Sequence, residues 1–145
     1  MNTGIPASHS PAGLAQRIEF PAYGAHNGKL TVFEGRGTVP FEIRRVFSVV
    51  AGRGANRGAH AHHRCTQLLV CLSGRVRLTC FDGAATEHND LEPGGVGILV
   101  PPGVWATQEY LEDSSVVIVF CDREFEPDDY IRDYQEFLGV KAAKK

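Results

Sequence analysis

No apolar run in this 145-residue chain approaches the ~20 residues that a membrane-spanning helix requires. Neither sign of charge is in excess. Fifteen Lys and Arg stand against 17 Asp and Glu, and the net charge of −2 gives no global pull toward nucleic acid or an anionic membrane. Met1–Ala15 lacks a basic segment followed by an apolar one, so it does not read as a signal peptide. It is expected to be a flexible arm. Cysteine is sparse: Cys65, Cys71, Cys80 and Cys121 sit in or beside apolar runs, with no Cys-X-X-Cys pair. They read as small core residues in a reducing cytoplasm rather than as a disulfide framework. There is no internal repeat and no low-complexity tract, and tryptophan occurs once, at Trp105.

What remains is an ordinary globular composition, 43% hydrophobic and 22% charged, long enough for one domain with a real core. That domain is expected over residues 16–140, with 141–145 a frayed tail. Strand-like segments rich in β-branched and aromatic residues recur at near-regular spacing: Gln16–Tyr23, Lys29–Glu34, Ile43–Val50, Arg57–His63, Thr66–Ser73, Arg75–Phe81, Gly95–Val100, Trp105–Leu111 and Val116–Cys121. Glycine and proline punctuate them, most plainly at Asp82-Gly83 and Pro101-Pro102-Gly103. Many short strands with such turns predict an all-β sandwich or barrel. The period then changes. Apolar residues at 130, 131, 134, 137 and 138 predict one amphipathic helix over about 128–138, with Pro127 near its start and Gly139 at its end.

The stretch that organises the chain is Gly54–Gly74. His60 and His62 are two residues apart, so on a strand both imidazoles project to one face, with His63 on the other. Gln67 opens the next apolar run, and Gly74 turns into the one after it. A glycine, a His-X-His, a polar side chain and a closing glycine at these intervals resemble the first motif of the cupin superfamily. Gly95, Pro101, Gly103 and Ala106 resemble the second. The resemblance implies a jelly-roll barrel. Metal-binding cupins hold their ion with three histidines and a carboxylate, and the matching positions here carry Gln67 and Ala106 instead. Two imidazoles alone fall short of a zinc or iron ligand set. The expectation is a cupin pocket with no metal and no other cofactor, its histidines free for proton chemistry.

Three further segments narrow the resemblance. Pro40–Val46, Arg57–His62 and Asp128–Tyr134 are similar to the sugar 3,4-ketoisomerases that act on dTDP-4-keto-6-deoxyglucose, over about residues 30–138. That family implies a metal-independent homodimer with exchanged N-terminal strands. It also implies a dTDP-linked 4-keto-6-deoxy sugar as substrate, a place in deoxy- or amino-sugar biosynthesis, and His60 and His62 as the catalytic pair. The family often carries a tyrosine after its Arg-Val dipeptide; here those positions are Phe47 and Ser48.

Moving a ketone between adjacent carbons requires a proton to leave C3 and one to reach C4, through an enediol. Histidine suits this because its reference pKa, ~6.5, lies near working pH. His60 is the expected C3 base. Gln67 is placed to hydrogen-bond an imidazole. Arg45, Arg57 and Arg77 are candidates for the anionic end of the substrate, although a solvated ion pair accounts for each equally well. Trp105, Gln108 and Tyr110 are candidates for the sugar pocket, with core packing the simpler reading of Trp105. A metal-free nucleotide-sugar epimerase is the alternative enzyme, with Tyr110 as its acid. A non-catalytic ligand-binding cupin is the alternative outside catalysis, and a metal-dependent dioxygenase is the remote one.

Overall fold

A computed structural model describes residues 8–9 and 14–144. Of the expected arm, residues 1–7 and 10–13 lie outside that range, while Leu14 and Ala15 are buried in the core. The strands are β1 (Ser8–His9), β2 (Gln16–Glu19), β3 (Ala22–Ala25), β4 (Gly28–Thr31), β5 (Arg45–Ala51), β6 (Asn56–His62) and β7 (Gln67–Ser73). They continue with β8 (Val76–Phe81), β9 (Thr86–Leu91), β10 (Val96–Val100), β11 (Trp105–Tyr110), β12 (Ser115–Cys121) and β13 (Tyr130–Ile131), and end in helix α1 (Tyr134–Ala143).

Two sheets face each other as a jelly-roll sandwich. One has the order β1-β2-β10-β7-β12-β5 and the other β13-β6-β11-β8-β9. Alternation along each strand sends one set of side chains between the sheets, where Leu69, Cys71, Val76, Leu78, Ile98, Tyr110, Val117 and Val119 form the main core. On the outer face of the larger sheet, Leu68, Val70 and Phe120 pack with Ile18, Phe20 and Phe33. No ladder joins β5 to β6 among the described residues, so the expected barrel is open along that side. All four cysteines are buried and free, as small core residues should be.

The C-terminal segment departs from its period. Pro127–Asp129 is a short 3₁₀ turn, Tyr130 and Ile131 pair with His62 and Ala61 on β6, and α1 begins only at Tyr134. Asp133 caps it by accepting a hydrogen bond from the Glu136 N–H at 3.0 Å. The spacing that reads as one helical face is thus shared between a strand edge and a later helix, and that helix continues past Gly139 to Ala143. Phe137 packs with Ala61, Trp105 and Ile131 on the outer face of the smaller sheet.

Gly74 shows how tightly the turns are drawn. Its φ is +77°, and a Cβ there would lie 2.2 Å from Ser115 Oγ and 2.8 Å from Ser115 Cα. Gly74→Ala combines a left-handed backbone with a backbone clash, so a loss of roughly 3 kcal/mol is predicted by denaturant unfolding. A loss below about 1 kcal/mol would contradict this packing.

Candidate active site

The histidine strand is not regular. Gly58 and Ala59 both have positive φ, +82° and +56°. Against β11, His60 faces Ala106 and Gly58 faces Thr107, which leaves Ala59 as an extra, bulged residue. A Cβ on Gly58 would sit 3.0 Å from the Ala106 carbonyl oxygen, so the close approach needs glycine. The bulge has a consequence for side-chain direction. Simple alternation sends Arg57 to the face opposite His60, but here Arg57 pairs with Gln108 and shares the His60 face.

Beyond the bulge the two imidazoles share one face, with ring centroids 5.0 Å apart and planes at 89°. His60 is half-buried, and its Nδ1 lies 3.1 Å from the Gly58 carbonyl oxygen. A carbonyl only accepts, so Nδ1 carries the proton and Nε2 is left as a base. Burial, with His62 and two arginines nearby, pushes the His60 pKa down to about 4, although the Gly58 contact opposes the shift. His60 is therefore neutral at ordinary pH.

His62 is anchored by Asp129. Its Nδ1 donates to Asp129 Oδ2 at 2.9 Å. The same carboxylate accepts from the backbone N–H groups of Arg64, at 2.7 Å, and Cys65, at 3.3 Å. Asp129 is only 2% exposed. Burial alone would raise its pKa, but the hydrogen bonds from His62, Arg64 and Cys65 hold it below the usual carboxylate value. Burial lowers His62, and Asp129 works against that shift. The His62 Nε2 is buried with no hydrogen-bond partner among the described residues. Both histidines thus present an unprotonated Nε2, each fixed by a different acceptor at Nδ1.

Tyr130 follows Asp129 and packs its ring 4.4 Å from His62 and 5.1 Å from His60. Its hydroxyl accepts from Arg45 Nη2 at 3.0 Å, and the Arg132 guanidinium lies 4.3 Å above its ring. Arg45 comes from the opposite sheet, where Arg45, Cys121 and Gln67 are neighbours across β5, β12 and β7. Arg45 Nη2 and Gln67 Nε2 both approach Cys121 Sγ, at 3.6 and 3.5 Å. Phe47 lies two residues along β5 from Arg45, on the same face, with its ring 5.3 Å from the guanidinium. Arg45 is thus flanked by the phenyl of Phe47 and finds its hydroxyl on Tyr130.

Other candidates lie elsewhere. Arg77 is on the outer face of β8 in an ion pair with Asp90 at 2.9 Å. Trp105 packs against Tyr134 and Phe137 beneath α1, because odd positions of β11 face away from the sandwich interior. Tyr110 is fully buried in the main core, donates to Gln108 Oε1 at 2.7 Å, and has its pKa pushed up to about 12 by burial. Gln108 and Arg57 lie along the His60 face, one strand pair beyond Ala106. His63 is exposed, as its opposite direction requires. Asp129, Tyr130 and Cys121 are not evident from sequence. The first two are hidden by the helical period, and the third looks like any core cysteine.

His62, Cys65 and Asp129 are the one group of three potential metal donors among the described residues, with donor atoms within 4.8 Å of one another. Asp129 Oδ2 is already occupied by His62 Nδ1 and the Cys65 N–H, so the trio is a hydrogen-bonded network. A further carboxylate or imidazole is missing at Gln67 and Ala106, and the donor set fits a metal poorly.

Comparison with known proteins finds a matching family model, a curated relative and solved structures of the same fold. The model of the family described as FdtA, WxcM-like, C-terminal, matches residues 15–142. A TDP-4-oxo-6-deoxy-alpha-D-glucose-3,4-oxoisomerase from Aneurinibacillus thermoaerophilus is 34% identical over 111 residues, covering 76% of this chain and 80% of the relative. A histidine-to-asparagine mutant of the 3,4-ketoisomerase QdtA from Thermoanaerobacterium thermosaccharolyticum, in complex with TDP-4-keto-6-deoxyglucose, superposes with a TM-score of 0.86. It is 26% identical, with 90% of this chain and 95% of that one covered. The TDP-quinovose 3,4-ketoisomerase WlaRB from Campylobacter jejuni gives a TM-score of 0.80 at 28% identity, with 86% and 97% covered. By sequence across nearly its whole described length, and by fold, the chain belongs to the FdtA (WxcM-like, C-terminal) family.

Proposed function

We propose that this protein is a sugar-nucleotide 3,4-ketoisomerase that moves the ketone of a TDP-linked 4-keto-6-deoxyhexose from C4 to C3. The observation that carries this reading is the pair of imidazoles on one face, each with its Nδ1 held by an acceptor, which leaves both Nε2 atoms for proton transfer. His60, the more exposed of the two and neutral at working pH, takes the C3 proton. The electrons move to the C4 oxygen and give an enediolate. Arg45 and the Tyr130 hydroxyl that it holds supply donors for that oxygen. The proton taken by His60 passes, by exchange with solvent, to His62 Nε2, whose ring lies 5.0 Å away, and His62 delivers a proton to C4, Asp129 stabilising the imidazolium meanwhile. The C3 hydroxyl proton moves to the C4 oxygen, which leaves a C3 ketone and a C4 hydroxyl. Arg57 and Gln108 line the same face and suit the anionic and polar parts of the substrate. No step is assigned to a metal, since Gln67 and Ala106 stand at the ligand positions. Such a substrate belongs in the cytoplasm, and no helix among the described residues is long and apolar enough to cross a membrane.

The epimerase alternative loses its support. It needs Tyr110 as an acid, but that hydroxyl is buried in the core and bonded to Gln108.

A second feature bears on assembly. Among the described residues the β3–β4 hairpin joins neither large sheet, and Leu30 on it is 59% exposed. The free edge strand β5 exposes Val46 and Val50. Exchange of N-terminal strands within a homodimer would cover such edges. Light scattering at micromolar concentration should therefore give twice the chain mass; a monomer would contradict the dimer.

An NMR time course with TDP-4-keto-6-deoxyglucose in deuterated water, with chelator present, tests the chemistry. Wild-type protein should form a 3-keto product. His60→Asn should neither form product nor exchange the C3 hydrogen. His62→Asn should exchange C3 while accumulating no product, and each loss should be about 10²–10⁴-fold. His63→Asn should stay near wild-type activity. A dead His63→Asn beside an active His60→Asn would overturn the assignment.

A further inference from the structure

The isomerase mechanism asks Arg45 for positive charge, and the structure surrounds that charge with neutral groups. Arg45 takes part in none of the ion pairs among the described residues. Arg44, one residue earlier, pairs with Glu124 at 2.6 Å and reaches Glu42 at 3.7 Å. Arg45 instead donates through Nη2 to the Tyr130 hydroxyl at 3.0 Å and approaches Cys121 Sγ at 3.6 Å. Its Nε is buried without a hydrogen-bond partner among the described residues. Two phenyl rings complete the surround. Phe47 and Phe125 each hold a ring centroid 5.3 Å from the guanidinium carbon, within cation–π range. Phe47 belongs to β5 itself, whereas Phe125 arrives from the loop after β12.

Phe125 is 56% exposed. A single exposed phenylalanine is ordinary, but the setting of this one is not. Glu124 and Glu126 flank it, and other arginines hold both. Glu124 accepts from Arg44 Nη2 at 2.6 Å, and Glu126 accepts from Arg123 Nε at 2.6 Å. The loop is tied at both ends. Asp122 accepts from the Thr66 N–H at 2.9 Å, and the Glu126 carbonyl accepts from the Asp129 N–H at 2.9 Å. The nearest acids in the chain are thus engaged elsewhere, and the ring between them meets Arg45. That ring also lies 5.7 Å from the ring of Tyr130. A carboxylate in its place would pair with the guanidinium and occupy its donors. A phenyl face attracts the cation without cancelling its charge.

We propose that Phe125 is a positioning residue. With Phe47 and Tyr130 it holds the Arg45 guanidinium, and it keeps carboxylates away, so that the full charge meets the enediolate oxygen at C4. Preorganised charge at a developing oxyanion is a large source of transition-state stabilisation. The effect on turnover rests on the proposed isomerase function, whereas the hold on the guanidinium does not.

Four substitutions at this exposed position of the full-length protein test the proposal, with Arg45 and Tyr130 left in place. Phe125→Leu and Phe125→Gln remove the π-face, and each should lower kcat roughly three- to tenfold. Phe125→Glu has nearly the shape of Phe125→Gln but adds a counter-charge, and should lower kcat about 10²-fold. Phe125→Tyr keeps the ring and should stay within about twofold of wild type. The losses should fall on kcat and leave KM within about twofold, since the oxyanion forms only in the reaction. A second readout needs no turnover. The Arg45 Nε–H resonance, assigned by its loss in Arg45→Lys, should lie upfield in the wild type through the ring currents around it. It should move downfield in Phe125→Leu and stay in place in Phe125→Tyr. Equal kcat for Phe125→Gln and Phe125→Glu, or an Arg45 resonance unmoved in Phe125→Leu, would overturn the proposal. A wild-type protein without turnover would count against the isomerase reading, and the resonance would still decide whether Phe125 holds Arg45.

Discussion

The site depends on one buried carboxylate. Asp129 reaches from the C-terminal segment into the turn after β6 and accepts from the His62 ring and from the N–H groups of Arg64 and Cys65. A charge this deep is tolerable only because its oxygens are filled. Removing one partner of such a buried pair typically costs about 3–5 kcal/mol, so the contact constrains as well as orients. It pins the 3₁₀ turn, and the next residue, Tyr130, is thereby laid against both imidazoles. The same contact fixes the His62 proton on Nδ1 and leaves Nε2 for chemistry.

The two sheets contribute different things across the pocket. The smaller sheet supplies basic nitrogens on a strand whose bulge brings Arg57, His60 and His62 to one face. The larger sheet supplies a row of donors, Arg45 and Gln67, gathered around the sulfur of Cys121. The Arg45–Tyr130 hydrogen bond joins them at 3.0 Å, across the side where no ladder closes the sandwich. Arg45 therefore has a hydroxyl partner although Phe47 has none. A polar floor and a polar mouth remain in a fold whose deeper interior is sealed by Leu69, Tyr110 and Val119.

Local signals in the sequence carried much of this. Most of the strands, the shared face of His60 and His62, the outward His63 and the free cysteines follow from alternation and composition, which depend on near neighbours, whereas the polar β9 does not stand out by that signal. What failed depended on distant ones. Tyr130 and Ile131 have the spacing of a helix, but their hydrogen bonds go to Ala61 and His62, nearly seventy residues earlier. Asp129 looks like an acidic residue at a helix start, and only the fold shows it buried against His62. Arg57 falls on the wrong face by simple counting, because one bulged residue, Ala59, resets the parity. Trp105 and Tyr110 suggest a pocket by chemistry, but one packs beneath α1 and the other fills the core.

The most direct test of this arrangement is a nitrogen-15 histidine titration of the uncomplexed protein, resolving the two ring nitrogens of His60 and His62. At neutral pH, His62 should carry its proton on Nδ1 and show an unprotonated Nε2. His60 should remain neutral well below the ordinary histidine range, gaining its second proton only near pH 4, the value set chiefly by its burial. A His62 protonated on Nε2, or a His60 that titrates near ~6.5 like an exposed imidazole, would contradict the arrangement.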